Sequence, residues 1–191
     1  MLESIGILEV TSVGLGYRAQ DAMLKAADVR IVLARTICSG KYLVVVTGSV
    51  DEVSAAIAAG VESLPDGLID HAVIPRIHGD VFKALSQCVE LHVDPKGERE
   101  AAVKAVGVVE TFSGTSILEA ADAAAKAAAV KLLRIHLAMA LGGKGFVLMA
   151  GSVPDVQAAV DAAVDVVRPK GLLVSAVTIP GPSKELFAEY V

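Results

Sequence analysis

Cys38 is the residue of this chain with the most specific chemistry, and it lies in ThrIleCysSerGlyLys (Thr36 to Lys41). On its own, a free cysteine is most often a small buried hydrophobic side chain. A thiolate can also bind a metal, so Cys38 is the first candidate for such a role in this sequence.

Other polar side chains give no catalytic arrangement. Arg76 and His78, in IleProArgIleHis, could look like a catalytic pair, but no nucleophile lies beside them in sequence. Cys88, the second cysteine, has no partner at metal-ligand spacing and is predicted to lie in the core. We find no glycine-rich phosphate loop, no His/Cys metal spacing and no paired carboxylates on one helix face. We therefore expect a protein that is not an enzyme.

The chain is an internal duplication, because residues 5–57 return at 106–160. For example, IleGlyIleLeuGluValThrSer returns as ValGlyValValGluThrPheSer. The copies differ in length by two residues between Arg35 and Gly40, in the segment that carries Cys38. Two copies are too few for a solenoid, so the sequence predicts two fused homologous domains. The predicted bounds are 1–91 for the first domain, 92–104 for a linker and 105–191 for the second domain.

Composition limits the classes of partner. A hydrophobic content of 54% with 20% charged residues is high for a soluble monomer of 191 residues, which indicates burial against copies of itself. Every apolar run is interrupted well before the roughly 18 to 20 residues that span a bilayer, and the N-terminus has no secretory pattern. Basic residues are scattered and the net charge is −5, which argues against nucleic acid. A cytoplasmic protein without membrane or nucleic-acid partners is expected.

Hydrophobic periodicity and caps predict the order β-α-β-β-α-β plus a helix in each copy. This order is typical of the ferredoxin-like arrangement, an α+β fold (an α/β sandwich) with an antiparallel sheet and helices on one face. The expected elements are strands at 5–10, 29–37, 42–47 and 68–75 and helices at 17–27, 49–60 and 79–87, repeated in the second copy up to a strand at 172–180 and a closing helix at 184–190.

Several blocks of this sequence, in order, resemble the BMC-domain shell proteins of bacterial microcompartments. They are GlyIleLeuGluValThrSer (6–12), AspAlaMetLeuLysAlaAla (21–27), GlyLysTyrLeu (40–43), GlySerValAspGluValSerAlaAla (48–56) and ValIleProArgIleHis (73–78). The resemblance implies a trimer of tandem domains that imitates a hexagonal tile, in the shell of a cytoplasmic microcompartment. ThrIleCysSerGlyLys is most similar to the propanediol-utilization type, in which a loop cysteine holds an iron-sulfur cluster.

This resemblance also assigns roles to single residues. It implies one cluster per trimer, of the 4Fe-4S type and bound through Cys38, which would pass electrons across the shell. In a cyclic trimer, one residue near the axis becomes three residues that converge on one point. Three Cys38 thiolates would then supply three of the four cysteine ligands that a cubane cluster usually takes. Tile edges, where other BMC-domain shell proteins meet the trimer, are implied at Lys25, Arg76, His78 and Lys126. An encapsulated redox enzyme is left open as a further partner. The implied pore-lining residues are Cys38, Ser39, Gly40, Met139, Ala140, Leu141 and Gly142.

The second copy is not expected to bind metal. Met139 stands near the position of Cys38 in that copy, and a thioether replaces a thiolate poorly as a cluster ligand.

Two alternatives to a cluster-bearing tile stay open. In the first, no cluster is present and the same loops line an open pore that conducts a metabolite. In the second, the chain is a small-molecule enzyme or sensor on a duplicated ferredoxin-like scaffold, which would need a pocket with convergent polar groups.

Overall fold

The computed structural model describes residues 4–86, 104–183 and 186. The predictions for Cys88 and for the linker up to residue 103 fall outside these residues, as does nearly all of the predicted closing helix at 184–190. The elements in chain order are β1 (Ser4–Val10), α1 (Val13–Ala26), β2 (Arg30–Thr36), β3 (Tyr42–Gly48), α2 (Val50–Glu62), β4 (Leu68–Ile74), α3 (Gly79–Ser86), β5 (Ala105–Thr111), α4 (Gly114–Ala127), β6 (Lys131–His136), β7 (Gly145–Gly151), α5 (Val153–Val167) and β8 (Leu173–Pro180).

Each repeat forms one four-stranded antiparallel sheet. The strand order is β2-β3-β1-β4 in the first repeat and β6-β7-β5-β8 in the second. In the first sheet Ile7 pairs with Val45 on one side and with Ala72 on the other. All seven residues of β1 are buried, which explains why its sequence is a nearly continuous apolar run rather than an alternating one. The predicted α+β, ferredoxin-like fold is confirmed.

Helix α1 begins four residues earlier than the sequence predicted. The prediction placed its start at Tyr17, where the apolar periodicity becomes clear, but the helix begins at Val13. Ser12 adopts an extended conformation, and its hydroxyl accepts a hydrogen bond from the N–H of Leu15 at 3.4 Å. That N-cap satisfies one of the helix's free N–H groups, so the helix begins at the cap despite two glycines in its first turn.

Helices α2 and α5 begin at equivalent caps, as predicted. Ser49 accepts from the N–H of Glu52 at 3.3 Å, and the Glu52 carboxylate accepts from the N–H of Ser49 at 3.0 Å. Hydrogen bonds to its carboxylate, first from the Ser49 side chain and second from the Ser49 backbone, hold the pKa of Glu52 below its usual value. The Ser152 hydroxyl caps α5 by accepting from the N–H of Asp155 at 3.2 Å, and Pro154 lies in the first turn.

Helices α1 and α2 pack on each other, and the core of the first repeat lies between them and the sheet. Tyr42 at the start of β3 is buried there, and this burial, reinforced by Tyr17, raises the pKa of Tyr42 above its usual value of 10.0. The core comprises mainly aliphatic side chains: Leu8, Val10, Ala19, Met23, Val29, Val44, Val46, Val53, Ala56 and Ile57. In the second repeat, α5 packs on β5, β7 and β8.

The chain divides into two compact units that do not coincide with the two repeats. The first unit contains residues 1–77 together with Ser113–Ser116 and Ala138–Lys144, two short segments of the second repeat. The second unit contains 78–112, 117–137 and 145–191, and so includes α3 of the first repeat. Each repeat therefore contributes structure to the unit that is mainly formed by the other.

Candidate functional site

Cys38 lies at the tip of the β2–β3 hairpin, in a short turn over Cys38–Gly40. Its N–H donates to the carbonyl oxygen of Ala138 at 3.0 Å. Its Sγ accepts from the N–H of Ala140 at 2.7 Å. The sulfur is half-buried, and it therefore combines partial access with a backbone N–H donor. Such donors stabilise negative charge on sulfur, which is a property of metal-bound thiolates.

Both loops of this site contain residues in the left-handed backbone region. The φ angles are 67° at Ser39, 51° at Ala138 and 58° at Ala140. A residue with a Cβ adopts this region at a cost of order 1 kcal/mol, so the surrounding hydrogen bonds must hold it there. Gly40, Gly142 and Gly143 adopt the same region without that cost. Such strain clusters at functional loops.

The first compact unit brings the predicted pore residues together. It contains both the hairpin tip and the segment Ala138–Lys144 from the second repeat. Ser39, Gly40 and the run from Met139 to Gly142 are exposed, whereas Cys38 is half-buried. The sequence alignment had placed these two loops at equivalent positions. Whether they line a pore depends on other copies of the chain, and that assignment stays a prediction.

A buried carboxylate beside this loop was not singled out in the sequence. Glu9, in β1, is fully buried, and its Oε1 accepts from the Lys41 Nζ at 2.9 Å. Its Oε2 accepts from the N–H groups of Gly114 at 2.8 Å and Thr115 at 3.2 Å. A helix N-terminus carries partial positive charge, so the start of α4 and Lys41 together neutralise Glu9. The detectable signal was an acidic residue inside an otherwise apolar strand.

A second buried carboxylate binds the same helix start. The Oδ2 of Asp70, in β4, accepts from the hydroxyl of Ser116 at 2.6 Å and lies 2.8 Å from that of Ser113. Ser113 in turn accepts from the N–H of Ser116 at 3.1 Å, as an N-cap residue does. Because buried polar groups destabilise a protein unless they are hydrogen-bonded, this network fixes the start of α4 on the first sheet.

The predicted edge residues lie in two different environments. Lys25 pairs with Asp21 at 2.6 Å on the surface, and both side chains are exposed. Lys126 forms the equivalent pair with Asp122 at 2.6 Å, but Asp122 is buried and its Oδ1 also accepts from the N–H of His78 at 2.7 Å. His78 thus contacts the second repeat through its backbone. Arg76 is exposed, with φ at 49°.

Among the residues that the structure describes, Cys38 is the one cysteine that one chain supplies to any metal at this site. No group of three His, Cys, Asp or Glu side chains gathers within 4–86, 104–183 and 186. The single half-buried sulfur, with its N–H donor, fits one corner of a cluster, and further thiolates would come from other copies. No helix in the same ranges has the length and apolar character needed to cross a bilayer.

Fold and site together define a tandem α+β protein whose two repeats differ chiefly in one loop that carries a thiol. A family model described as the BMC domain matches residues 4–77 and 105–182. The chain therefore belongs to the BMC-domain family of bacterial microcompartment shell proteins, as a tandem member with two domains. The family predicted from the sequence blocks is confirmed.

Relatives match over the full length. The chain is 42% identical over 191 residues to the bacterial microcompartment shell protein PduT of Citrobacter freundii, covering 100% of this chain and 99% of that protein. A crystal structure of a microcompartment protein from Desulfitobacterium hafniense DCB is 38% identical with a TM-score of 0.81, covering 98% and 99% of the two chains. The fused permuted hexameric shell protein MSM0275 from the RMM microcompartment shares the fold alone, at 23% identity and a TM-score of 0.62, covering 86% and 81%.

Proposed function

We propose that three copies of this chain form a hexagonal shell tile and that their Cys38 thiolates together hold one iron-sulfur cluster at the centre. The observation that carries this proposal is the Cys38 sulfur, half-buried at a hairpin tip and accepting the Ala140 N–H at 2.7 Å. A threefold axis converts this one ligand into three. The cluster, of the 4Fe-4S type, would supply one-electron transfer across the shell.

The chain's own residues have defined tasks in this proposal. Cys38 binds iron, and the N–H of Ala140 lowers the electron density on the sulfur. Ser39 and Gly40 are small, so three hairpin tips can approach one another closely. Met139 and its neighbours would line the three intervening positions without binding iron. An encapsulated redox enzyme is the proposed electron partner, and the role of the chain is structural rather than catalytic.

The proposed tile meets other BMC-domain shell proteins at its edges. Lys25 and Lys126 occupy equivalent places in the two repeats, whereas Arg76 is replaced by Gly181. Edge contacts are therefore expected to differ between the two halves of the chain. The buried Asp122 fixes Lys126 more firmly than the exposed Asp21 fixes Lys25.

Anaerobic reconstitution with iron and sulfide tests the cluster. Wild-type protein should become brown and contain about four iron and four sulfide per three chains. Cys38→Ser should lose the colour and the iron while keeping the same molecular mass in solution. Cys88→Ser is the matched control, because it removes the other thiol of the chain and should leave the iron content unchanged.

Two results would count against this proposal. Equal iron content in wild type and Cys38→Ser would show that the metal is held elsewhere. A wild-type protein that is trimeric but remains colourless and iron-free after reconstitution would remove the cluster and leave the tile.

An open pore for a metabolite is the second candidate. It is favoured by the exposure of Ser39, Gly40 and the run from Met139 to Gly142, which expose mainly small side chains and backbone. In that case permeation through reconstituted tiles should fall when bulk is added by Ser39→Gln and should not change in Cys38→Ser. The cluster proposal predicts the opposite ranking, because Cys38→Ser would empty the centre.

A further inference from the structure

The hairpin tip that carries Cys38 is closed by Lys41. The N–H of Ile37 donates to the carbonyl oxygen of Lys41 at 3.0 Å, and Cys38 lies between these two residues. The side chain of Lys41 is only 17% exposed. Because a lysine is seldom buried unless its ammonium group is paired, a specific partner must hold this side chain. The hairpin tip is thus tied to whatever holds Lys41.

Glu9, in β1, is such a partner. Its Oε1 lies 2.9 Å from the Lys41 Nζ, and its Oε2 accepts from the N–H groups of Gly114 and Thr115. Strand β1 pairs with β3 on one side and with β4 on the other, so Glu9 stands on a strand that is held along both edges. Charge-assisted hydrogen bonds are about twice as strong as neutral ones. The Lys41 ammonium therefore has a fixed place on the first sheet.

The Lys41 side chain also packs against the facing loop, Ala138–Lys144. A Cβ added at Gly143 would lie 3.4 Å from the Lys41 Nζ and 3.5 Å from its Cε. It would lie 3.4 Å from the Oγ of Ser39 as well. These distances are those of van der Waals contact, so the backbone of the facing loop rests on the hairpin tip at Gly143.

The facing loop carries the two groups that contact Cys38. The N–H of Ala140 donates to the Cys38 sulfur at 2.7 Å, and the carbonyl oxygen of Ala138 accepts from the Cys38 N–H at 3.0 Å. Both alanines have left-handed φ angles, which cost free energy and persist only where the surroundings hold them. Lys41 supplies such a contact, because it joins this loop to β1.

We infer that Lys41 is a positioning residue for Cys38: its ammonium group, anchored on Glu9, holds the facing loop so that the Ala140 N–H reaches the sulfur. The inference rests on the proposed cluster and names the residue that tunes it. Hydrogen bonds to the sulfurs help to set the potential of an iron-sulfur cluster, and they favour its reduced, more negative state. Loss of the Ala140 N–H should therefore make the reduction potential more negative.

Hydrogen exchange of the cluster-free protein tests the positioning. Mass spectrometry of peptides that cover 36–41 and 138–144 follows the N–H groups of Cys38 and Ala140. In Lys41→Met both groups should exchange about tenfold faster than in wild type, because the facing loop opens more often.

Glu9→Gln is a milder second variant, because its amide oxygen can still accept from the start of α4. It removes the anchor of Lys41 and should accelerate the same exchange. Lys83→Met is the matched control, since it removes an exposed ammonium group that lies 2.8 Å from Asp80. It should leave the exchange of both loops unchanged. Wild-type exchange rates in Lys41→Met and Glu9→Gln would overturn the inference.

An anaerobic redox titration of the reconstituted protein, followed by electron paramagnetic resonance, separates position from charge. Lys41→Met adds one net negative charge near the cluster and Glu9→Gln removes one, so a role through charge alone predicts opposite shifts of the potential. Positioning predicts a more negative potential in both variants, because both release the Ala140 N–H. Opposite shifts, or no shift in either variant, would overturn the inference. A wild type that binds no iron would remove the proposed cluster, and the exchange rates would still decide whether Lys41 holds the loop.

Discussion

At the scale of single residues, the ion pair of Lys41 and Glu9 joins a mostly buried ammonium group to a fully buried carboxylate. The Nζ and Oε1 are 2.9 Å apart, and Glu9 is fully buried. Removing one partner of a buried pair leaves an uncompensated charge. We therefore expect Lys41→Met to lower the free energy of unfolding in urea by about 3 kcal/mol, at the low end for such pairs because Gly114 and Thr115 still donate to Glu9.

Lys25→Met is the control for that measurement. Its pair with Asp21 has the same kind of geometry, at 2.6 Å, but both side chains are exposed, at 74% and 64%. Exposed pairs of this kind contribute less than about 0.5 kcal/mol. Equal destabilisation by Lys41→Met and Lys25→Met would contradict the assignment of Glu9 as a buried charge that depends on Lys41.

Helix α1 is the element in which close packing is most easily tested. A Cβ at Gly16 would lie 2.3 Å from the ring of Tyr42, so Gly16→Ala forces the buried ring to move and should lower the free energy of unfolding by about 1 to 3 kcal/mol. Gly14→Ala, two residues earlier, meets no atom within 4 Å and should be neutral or stabilising by up to about 1 kcal/mol. Thermal unfolding of the two variants provides the comparison, and a stabilised Gly16→Ala would refute the close contact.

Elements were predictable from the sequence where a local signal exists. The caps at Ser49 and Ser152, the hairpin of β2 and β3 and the apolar β1 all follow from residue types and spacing. The sequence predicts that α1 starts at Tyr17, because Gly14 and Gly16 weaken the helical signal of the first turn. The N-cap at Ser12 sets the true start of the helix at Val13. The Glu9 network could not be predicted, because its donors, Gly114 and Thr115, are more than 100 residues away in sequence.

The residues of the candidate site could be predicted from the sequence, but the hydrogen bonds between them could not. Duplication and the loop that differs in length pointed to Cys38 and to the stretch from Met139 to Gly142. The hydrogen bond from the Ala140 N–H to the Cys38 sulfur depends on left-handed φ angles at Ala138 and Ala140, which the sequence does not signal because alanine rarely adopts them.

For the whole molecule, self-association should couple stability to concentration. In the proposed trimer, mass action stabilises the folded assembly as the concentration rises. The midpoint of thermal unfolding should then increase by about 2 to 4 °C for each tenfold increase in the concentration of wild-type protein. A wild-type midpoint that is independent of concentration would contradict the proposed trimer.

The first compact unit also sets an order for biosynthesis, because it includes Ser113–Ser116 and Ala138–Lys144. A ribosome releases the chain from its N-terminus, so this unit cannot be completed until Lys144 has left the exit tunnel. During that interval Glu9 has no α4 N–H groups to accept from and Cys38 has no Ala140 N–H. In a nascent chain that stalls after the first repeat, the carboxylates of Glu9 and Asp70 would therefore remain hydrated. The finished protein buries both of them.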